Sequence, residues 1–334
     1  METSAPREAW AAGFSQIEIA PGQSRLVPAI ETWNGTAWTG VDLPPGLKIG
    51  NGPQYLDAVS ASGPHNVWID SDAGHWLHYD GTTWTTGVLP DASEVSLLSS
   101  LAVSTTNQWA FGGTGAGPVL KPYAARNTGS GWKRTAVPGT GAIVGVSAVT
   151  GTDIWAVMGT GFESAGIQSP TSGLVRWYAG AWHAGPALPA SMHNSALGAI
   201  LARSDTNVWV GGAAKNSEGG YTEAIAHWNG HAWSVVKLPV PATTTKWHVN
   251  SIVPDGSGGL WALGNCIGNC VPHKSRLWHE VGGRWTGPEV PSWEVHNTAL
   301  NQLAATGHSV WGAGSITDGS LLGGLIALWG PVPS

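Results

Sequence analysis

Three histidines stand in similar short segments: His193 in SMHNSAL, His248 in KWHVNSI and His296 in EVHNTAL. His193 and His296 each lie four residues before a leucine, Leu197 and Leu300, and His248 directly precedes Val249. Imidazoles gathered at one opening would bind a divalent ion, activate a water or act as a general base. They are therefore the candidate catalytic residues and the candidate metal ligands, for copper, zinc or calcium. Carboxylates are scarce beside them, Glu94 being one. The plainer reading has no cofactor, with the histidines solvated or hydrogen-bonded in loops. A second cluster reads Cys266-Ile-Gly-Asn-Cys270 and then His273. Two thiolates and an imidazole suit copper or zinc, but the spacing departs from C-x2-C and supplies three ligands of the usual four. A local Cys266–Cys270 disulfide pinning a glycine-rich loop is the preferred alternative, and it fits an oxidising compartment.

The elements that must position these residues are set by a repeat. A tryptophan closing a short glycine turn recurs at Trp38, Trp84, Trp132, Trp182, Trp233 and Trp285, in steps of 46 to 52 residues. A second series carries a tryptophan, in most units followed by glycine, as in NVWID (66–70), DIWAVMG (153–159) and NVWVGG (207–212). Before most of these lies an alternating apolar segment such as VGVSAVT (144–150). Periods of this length indicate propellers or arrays, and period-two alternation bounded by turn residues reads as strand. Four antiparallel strands per unit, A to D, make a propeller blade. Seven strand-B tryptophans, at 10, 68, 109, 155, 209, 261 and 311, give an all-β, seven-bladed β-propeller as one domain over 1–334. The blades are expected at about 1–44, 54–90, 97–138, 142–189, 195–239, 247–291 and 297–330. Residue 1 falls midway along strand A of blade 1, and the last blade stops after strand C. A longer precursor or an unusual ring closure is therefore expected.

Composition excludes several classes. The net charge is −6, with 15 Lys and Arg and no basic run, so nucleic acid is not an expected partner. No apolar run approaches the length of a membrane span. Charged residues make up 11%, well below the roughly 25% of an average soluble domain. The 21 tryptophans supply ample surface for a core.

The strand order resembles kelch-type propellers, with a glycine doublet closing strand B at Gly112–Gly113 and Gly211–Gly212 and a tryptophan in strand D. The turn Tyr79-Asp80-Gly81-Thr82-Thr83-Trp84 resembles the Asp-box of sialidase-like propellers. The kelch-type resemblance includes a copper oxidase with histidine and tyrosine ligands. It thereby adds Tyr55, at the register His248 holds in blade 6, to the candidate catalytic set.

In such a ring the D–A and B–C loops share one face, and the long B–C loops are expected at 159–174, 212–223 and 264–275. Trp247 and Trp293 fall in D–A loops outside the periodic tryptophan positions, and are the expected ligand contacts. The reading is thus an extracellular or periplasmic, monomeric binding protein that recognises a glycan or a protein on this face. The alternative is a metal-dependent oxidase, lyase or hydrolase with its histidines at the mouth of the channel.

Overall fold

The computed structural model describes residues 2–5, 8–43, 56–71, 74–115, 120–159, 172–215, 220–239, 246–267, 275–287, 298–318 and 321–329. They form seven antiparallel sheets, each continuous in sequence. Blade 1 holds β1 (Glu2–Ala5), β2 (Glu8–Ala20), β3 (Gln23–Trp33) and β4 (Trp38–Gly40). Blade 2 holds β5 (Leu56–Gly63), β6 (Asn66–Ser71), β7 (His75–Tyr79) and β8 (Trp84–Val88). Blade 3 follows as β9 (Val95–Ser104), β10 (Asn107–Thr114), β11 (Lys121–Asn127) and β12 (Trp132–Arg134). Blade 4 is β13 (Ala142–Thr150), β14 (Asp153–Gly159), β15 (Ser172–Tyr178) and β16 (Ala181–Ala184). Blade 5 is β17 (Ser195–Ser204), β18 (Asn207–Lys215), β19 (Tyr221–Trp228) and β20 (Trp233–Val236). Blade 6 is β21 (Lys246–Pro254), β22 (Leu260–Ile267), β23 (Ser275–Val281) and β24 (Arg284–Thr286). Blade 7 has three strands among the described residues, β25 (Thr298–Thr306), β26 (Ser309–Asp318) and β27 (Leu321–Trp329). Each blade packs on the next, and β2 packs on β27, so the ring closes between blades 7 and 1. The protein is a seven-bladed β-propeller.

The repeated turn has a simple cause. Asn34 Oδ1 accepts the backbone N–H groups of Thr36 and Ala37, Asp80 Oδ1 those of Thr82 and Thr83, and Asn229 Oδ1 those of His231 and Ala232. The side chain caps a tight C–D turn, and Gly35, Gly81 and Gly230 supply the left-handed backbone it needs. At Gly81 a Cβ would also meet the His65 ring at 2.3 Å. The donors around Asp80 hold its carboxyl well below the usual carboxylate range.

The blades are cemented by tryptophan. Trp109 and Trp155 are almost wholly buried, each in a cluster spanning two adjacent blades. Serine hydroxyls bolt neighbouring blades at their inner strands. Ser60, Ser147 and Ser251 accept the backbone N–H groups of Ala102, Ala202 and Leu303.

A second periodic device escapes the sequence reading. In blades 2 to 6 the strand-B tryptophan carries a cation or imidazole from strand C on its face. The pairs are Trp68 with His78, Trp109 with Arg126, Trp155 with Arg176, Trp209 with His227 and Trp261 with His279. An acceptor holds each partner in place: Asn66 for His78 at 2.9 Å, Asn107 for Arg126 at 2.8 Å and Asn207 for His227 at 3.0 Å. Asp153 binds Arg176 through two bonds of 2.7 Å. In blade 6, Asp255 reaches His279 at 3.0 Å from the preceding turn. Asn66 and Asn207 also accept the indole N–H of their tryptophans. Blades 1 and 7 place Thr32 and Leu328 opposite Trp10 and Trp311 instead.

Replacing Asn207 by alanine leaves the Trp209 indole N–H and the His227 ring without their acceptor. The expected cost is about 1–3 kcal/mol in denaturant unfolding, with Asn207→Asp losing less. An unchanged midpoint for the alanine variant would show that the clip contributes nothing.

Candidate functional site

Of the histidines expected to converge, the two described ones, His193 and His248, each hold hydrogen bonds within their own surroundings. His193 follows a 3-10 turn at Ala190–Met192, and its Nε2 bonds the Leu188 carbonyl at 3.0 Å. His248, on β21, bonds the Ala196 carbonyl of blade 5 through Nε2 and Asn250 through Nδ1, both at 3.1 Å. Burial lowers the His248 pKa to about 4, so the ring is neutral near pH 7. A neutral imidazole donates once, and the Ala196 carbonyl can only accept. The Asn250 Oδ1 likewise only accepts, so one proton on the ring can serve one of the two oxygens at a time. The Nε2 contact bridges blades 5 and 6, and the Nδ1 contact stays within β21. Among the described residues no group of three or more His, Cys, Asp or Glu side chains could hold a metal ion. His296, Tyr55, Trp293, Cys270 and His273 lie outside the described residues. Glu94 is exposed in a 3-10 turn at Ala92–Glu94. Cys266 is disulfide-bonded, and a half-cystine sulfur lacks the thiolate charge that zinc or copper sites use.

Trp247 is not a ligand platform. It is 3% exposed, edge-to-face with Trp278 at 6.5 Å, and capped by the Arg276 guanidinium 4.8 Å from its ring. The reason is register: β21 begins at Lys246 and pairs Trp247 with Cys266, so the residue belongs to the strand and its core rather than to a loop. The expected loop at 212–223 is likewise mostly strand, since β18 runs to Lys215 and β19 starts at Tyr221.

The expected face carries a cavity, at a different place. A cavity of about 550 Å³ opens between blades 7 and 1 and reaches the first strand of blade 2. Its walls come from β2 (Ala11 to Ser15), the starts of β5 and β25, and the β26–β27 hairpin. Small residues make the space: a Cβ on Gly13 or Gly324 would meet nothing within 4 Å. Phe14, Leu325 and Ile326 give an apolar lining, while Glu31 and Asp57 bring two carboxylates and Asn301 and Gln302 two amides. No Lys, Arg or His appears among the described lining residues. Beside the cavity the β2–β3 hairpin extends to a Pro21–Gly22 turn, and Ile17 and Ile19 are 39% and 57% exposed on it. The alternation in FSQIEIA before Pro21-Gly22 was the available signal for this hairpin.

Comparison with known proteins supports the fold class. No family model matches the chain, and no curated protein matches it. Solved structures do. The structure of YCF48 bound to D1 peptide shares 14% identity at a TM-score of 0.59, with 94% of each chain covered. YCF48 from Cyanidioschyzon merolae also shares 14%, at a TM-score of 0.55, covering 94% of this chain and 98% of that one. The WD40 propeller domain of Doa1 shares 9%, at 0.53, over 98% and 96%. At these identities the likeness defines a β-propeller.

Proposed function

We propose that this is a binding propeller of the cell exterior or periplasm that takes a protein or peptide segment at the seam between blades 7 and 1, acting as a monomer. The carrying observation is the seam cavity, which combines apolar walls with a few amides and carboxylates, as ligand sites generally do. The exposed Ile17 and Ile19 beside it add an apolar surface that an isolated ring does not need. YCF48 in complex with a peptide is a propeller of the same overall shape. The disulfide at Cys266 supports an oxidising compartment. A glycan ligand draws less support, because Trp247 is buried. The metal-enzyme alternative draws none from His193 and His248. A kelch-type grouping rests on the strand-B glycines and strand-D tryptophans, and the Asp-box likeness on the Asp80 turn.

The test is to pan a displayed random-peptide library against the purified protein and repeat binding with Gly13→Trp. A Cβ at Gly13 meets nothing within 4 Å, so the indole starts from an open position on the cavity wall. Enriched peptides are expected to bind the wild type and to lose at least about tenfold, roughly 1.4 kcal/mol, on the variant. Melting should be unchanged. Failure to enrich any peptide, together with a hit on a glycan array, would overturn the reading.

A further inference from the structure

The repeat marks two positions on the outer strands of neighbouring blades. One is the residue before the Leu-Pro or Val-Pro that ends a unit, and the other is the residue before the strand-D tryptophan of the next unit. From blade 1 to blade 5 the successive pairs are Asp42 with Thr83, Val88 with Gly131, Ala136 with Ala181 and Ala187 with Ala232. Between blades 5 and 6 both positions turn cationic, as Lys237 and Arg284. The structure brings the two to one groove of about 560 Å³, walled by Trp209, Val236, Leu238, Pro239 and Trp285. The indoles belong to the common frame. Trp209 and Trp285 meet edge-to-face at 6.0 Å, as Trp68 and Trp132 do at 5.5 Å and Trp109 and Trp182 at 5.7 Å. Trp10, Trp68, Trp109 and Trp155 are buried at the strand-B register, whereas Trp209 is only half-buried.

The cations have no internal use. Lys237 and Arg284 are exposed, and among the described residues neither side chain has an ion pair or a hydrogen bond. Glu280, opposite Trp285 in the sheet, is buried; its Oε1 accepts the Gly283 N–H and it does not line the groove. Two unpaired cations beside two indoles, on a chain of net charge −6, form a local anion-attracting spot. The described lining holds no Asp, Glu, Asn, Gln, Ser or Thr. A sugar would find few partners for its hydroxyls there, whereas an apolar group flanked by carboxylates matches every wall.

We propose that this groove is a second docking site, and that its occupant is a peptide segment of a partner protein in which a bulky apolar residue is flanked by Asp or Glu. The apolar side chain rests against Trp209 and Trp285. One carboxylate pairs with Lys237 from blade 5 and another with Arg284 from blade 6, whose planar fork suits a bidentate bond. Carboxylates on both sides of one side chain are what a peptide supplies. The site shares no lining residue with the seam cavity and does not depend on it.

The probe is a dye-labelled, capped peptide with one phenylalanine between pairs of Asp and Glu, measured by fluorescence polarisation at low salt. Lys237→Gln and Arg284→Gln should each weaken binding at least about threefold, and together at least about tenfold, with melting unchanged. Raising sodium chloride from about 50 to about 300 mM should weaken it as well. Alanine for the phenylalanine of the probe should cost at least about threefold. Gly13→Trp, at the seam, should leave it unaltered. The doubly reversed Lys237→Glu and Arg284→Glu variant should lose the probe and take up its lysine-substituted counterpart. No binding of the probe, or equal binding by the doubly neutral variant, overturns the site. Indifference to the phenylalanine overturns the apolar anchor. A sulfated oligosaccharide that binds through Lys237 and Arg284 where the probe does not would overturn the assignment to a peptide.

Discussion

Asp70→Asn is expected to stabilise the propeller at pH 8 and to leave it nearly unchanged at pH 4. Asp70 lies on β6 and is 1% exposed, with an Oδ2 that makes no hydrogen bond among the described residues. Burial pushes its pKa up from 3.8 to about 7; the Asp57 charge adds to this and the Ser100 hydroxyl offsets part of it. The folded state therefore holds this proton where the unfolded chain has released it. Stability falls as pH rises from about 4 to about 7, and the penalty is complete above that window. At roughly 1.4 kcal/mol per pKa unit the full penalty is up to about 4 kcal/mol. An amide has no charge to bury, and the Ser100 hydroxyl beside Asp70 can accept a hydrogen bond as well as donate one. Denaturant midpoints at pH 4, 6 and 8 measure the effect; equal midpoints for variant and wild type at pH 8 would refute it. The opposite limb comes from histidine. Desolvation lowers the pKa of His78, His227 and His248, so protonating them destabilises the fold as pH drops below about 6.5. The wild type should be most stable between these limbs, and Asp70→Asn should move the optimum to higher pH.

Trp311→Ala is expected to cost about 3–5 kcal/mol, the usual range for truncating a buried tryptophan. Trp311 is 4% exposed and sits between two indoles of blade 1, Trp33 at 5.1 Å and Trp38 at 5.4 Å. Ala9, Ala304, Ile326 and Leu328 complete this contact. Among the described residues no sheet is shared across the seam, and side-chain packing joins the two blades there. Hydrogen exchange should accelerate in β2 and β26 well before it does in β14 or β18. Uniform acceleration around the ring would show that the seam is no weaker than other interfaces.

The architecture was legible because its cause is local. Each blade needs a tryptophan to pack on the next and a capped turn after it, and both recur at fixed places in the chain. The clips were harder to read, because Asn or Asp on strand B acts through His or Arg on strand C. The residue types alternate and the spacing varies between blades, so nothing in the chain ties His78, His227 and His279 to their tryptophans. Trp247 misled because a tryptophan outside the periodic set resembles a ligand contact until the strand register is known. The cavity was hidden for another reason: its walls are glycine, alanine and ordinary polar residues from both ends of the chain, brought together only when the ring closes. That is a relation between distant strands, not a motif.

The five clips also divide the ring mechanically. Blades 2 to 6 each lock a tryptophan against a bonded His or Arg, while blades 1 and 7, side by side, do not. By this criterion the ring is expected to behave like a spring clip, a stiffer arc of five units with two more compliant jaws. Strain imposed anywhere on the ring should concentrate at those jaws. A load on the ring should therefore show first as spreading at this one joint, before the five clipped blades shift against one another.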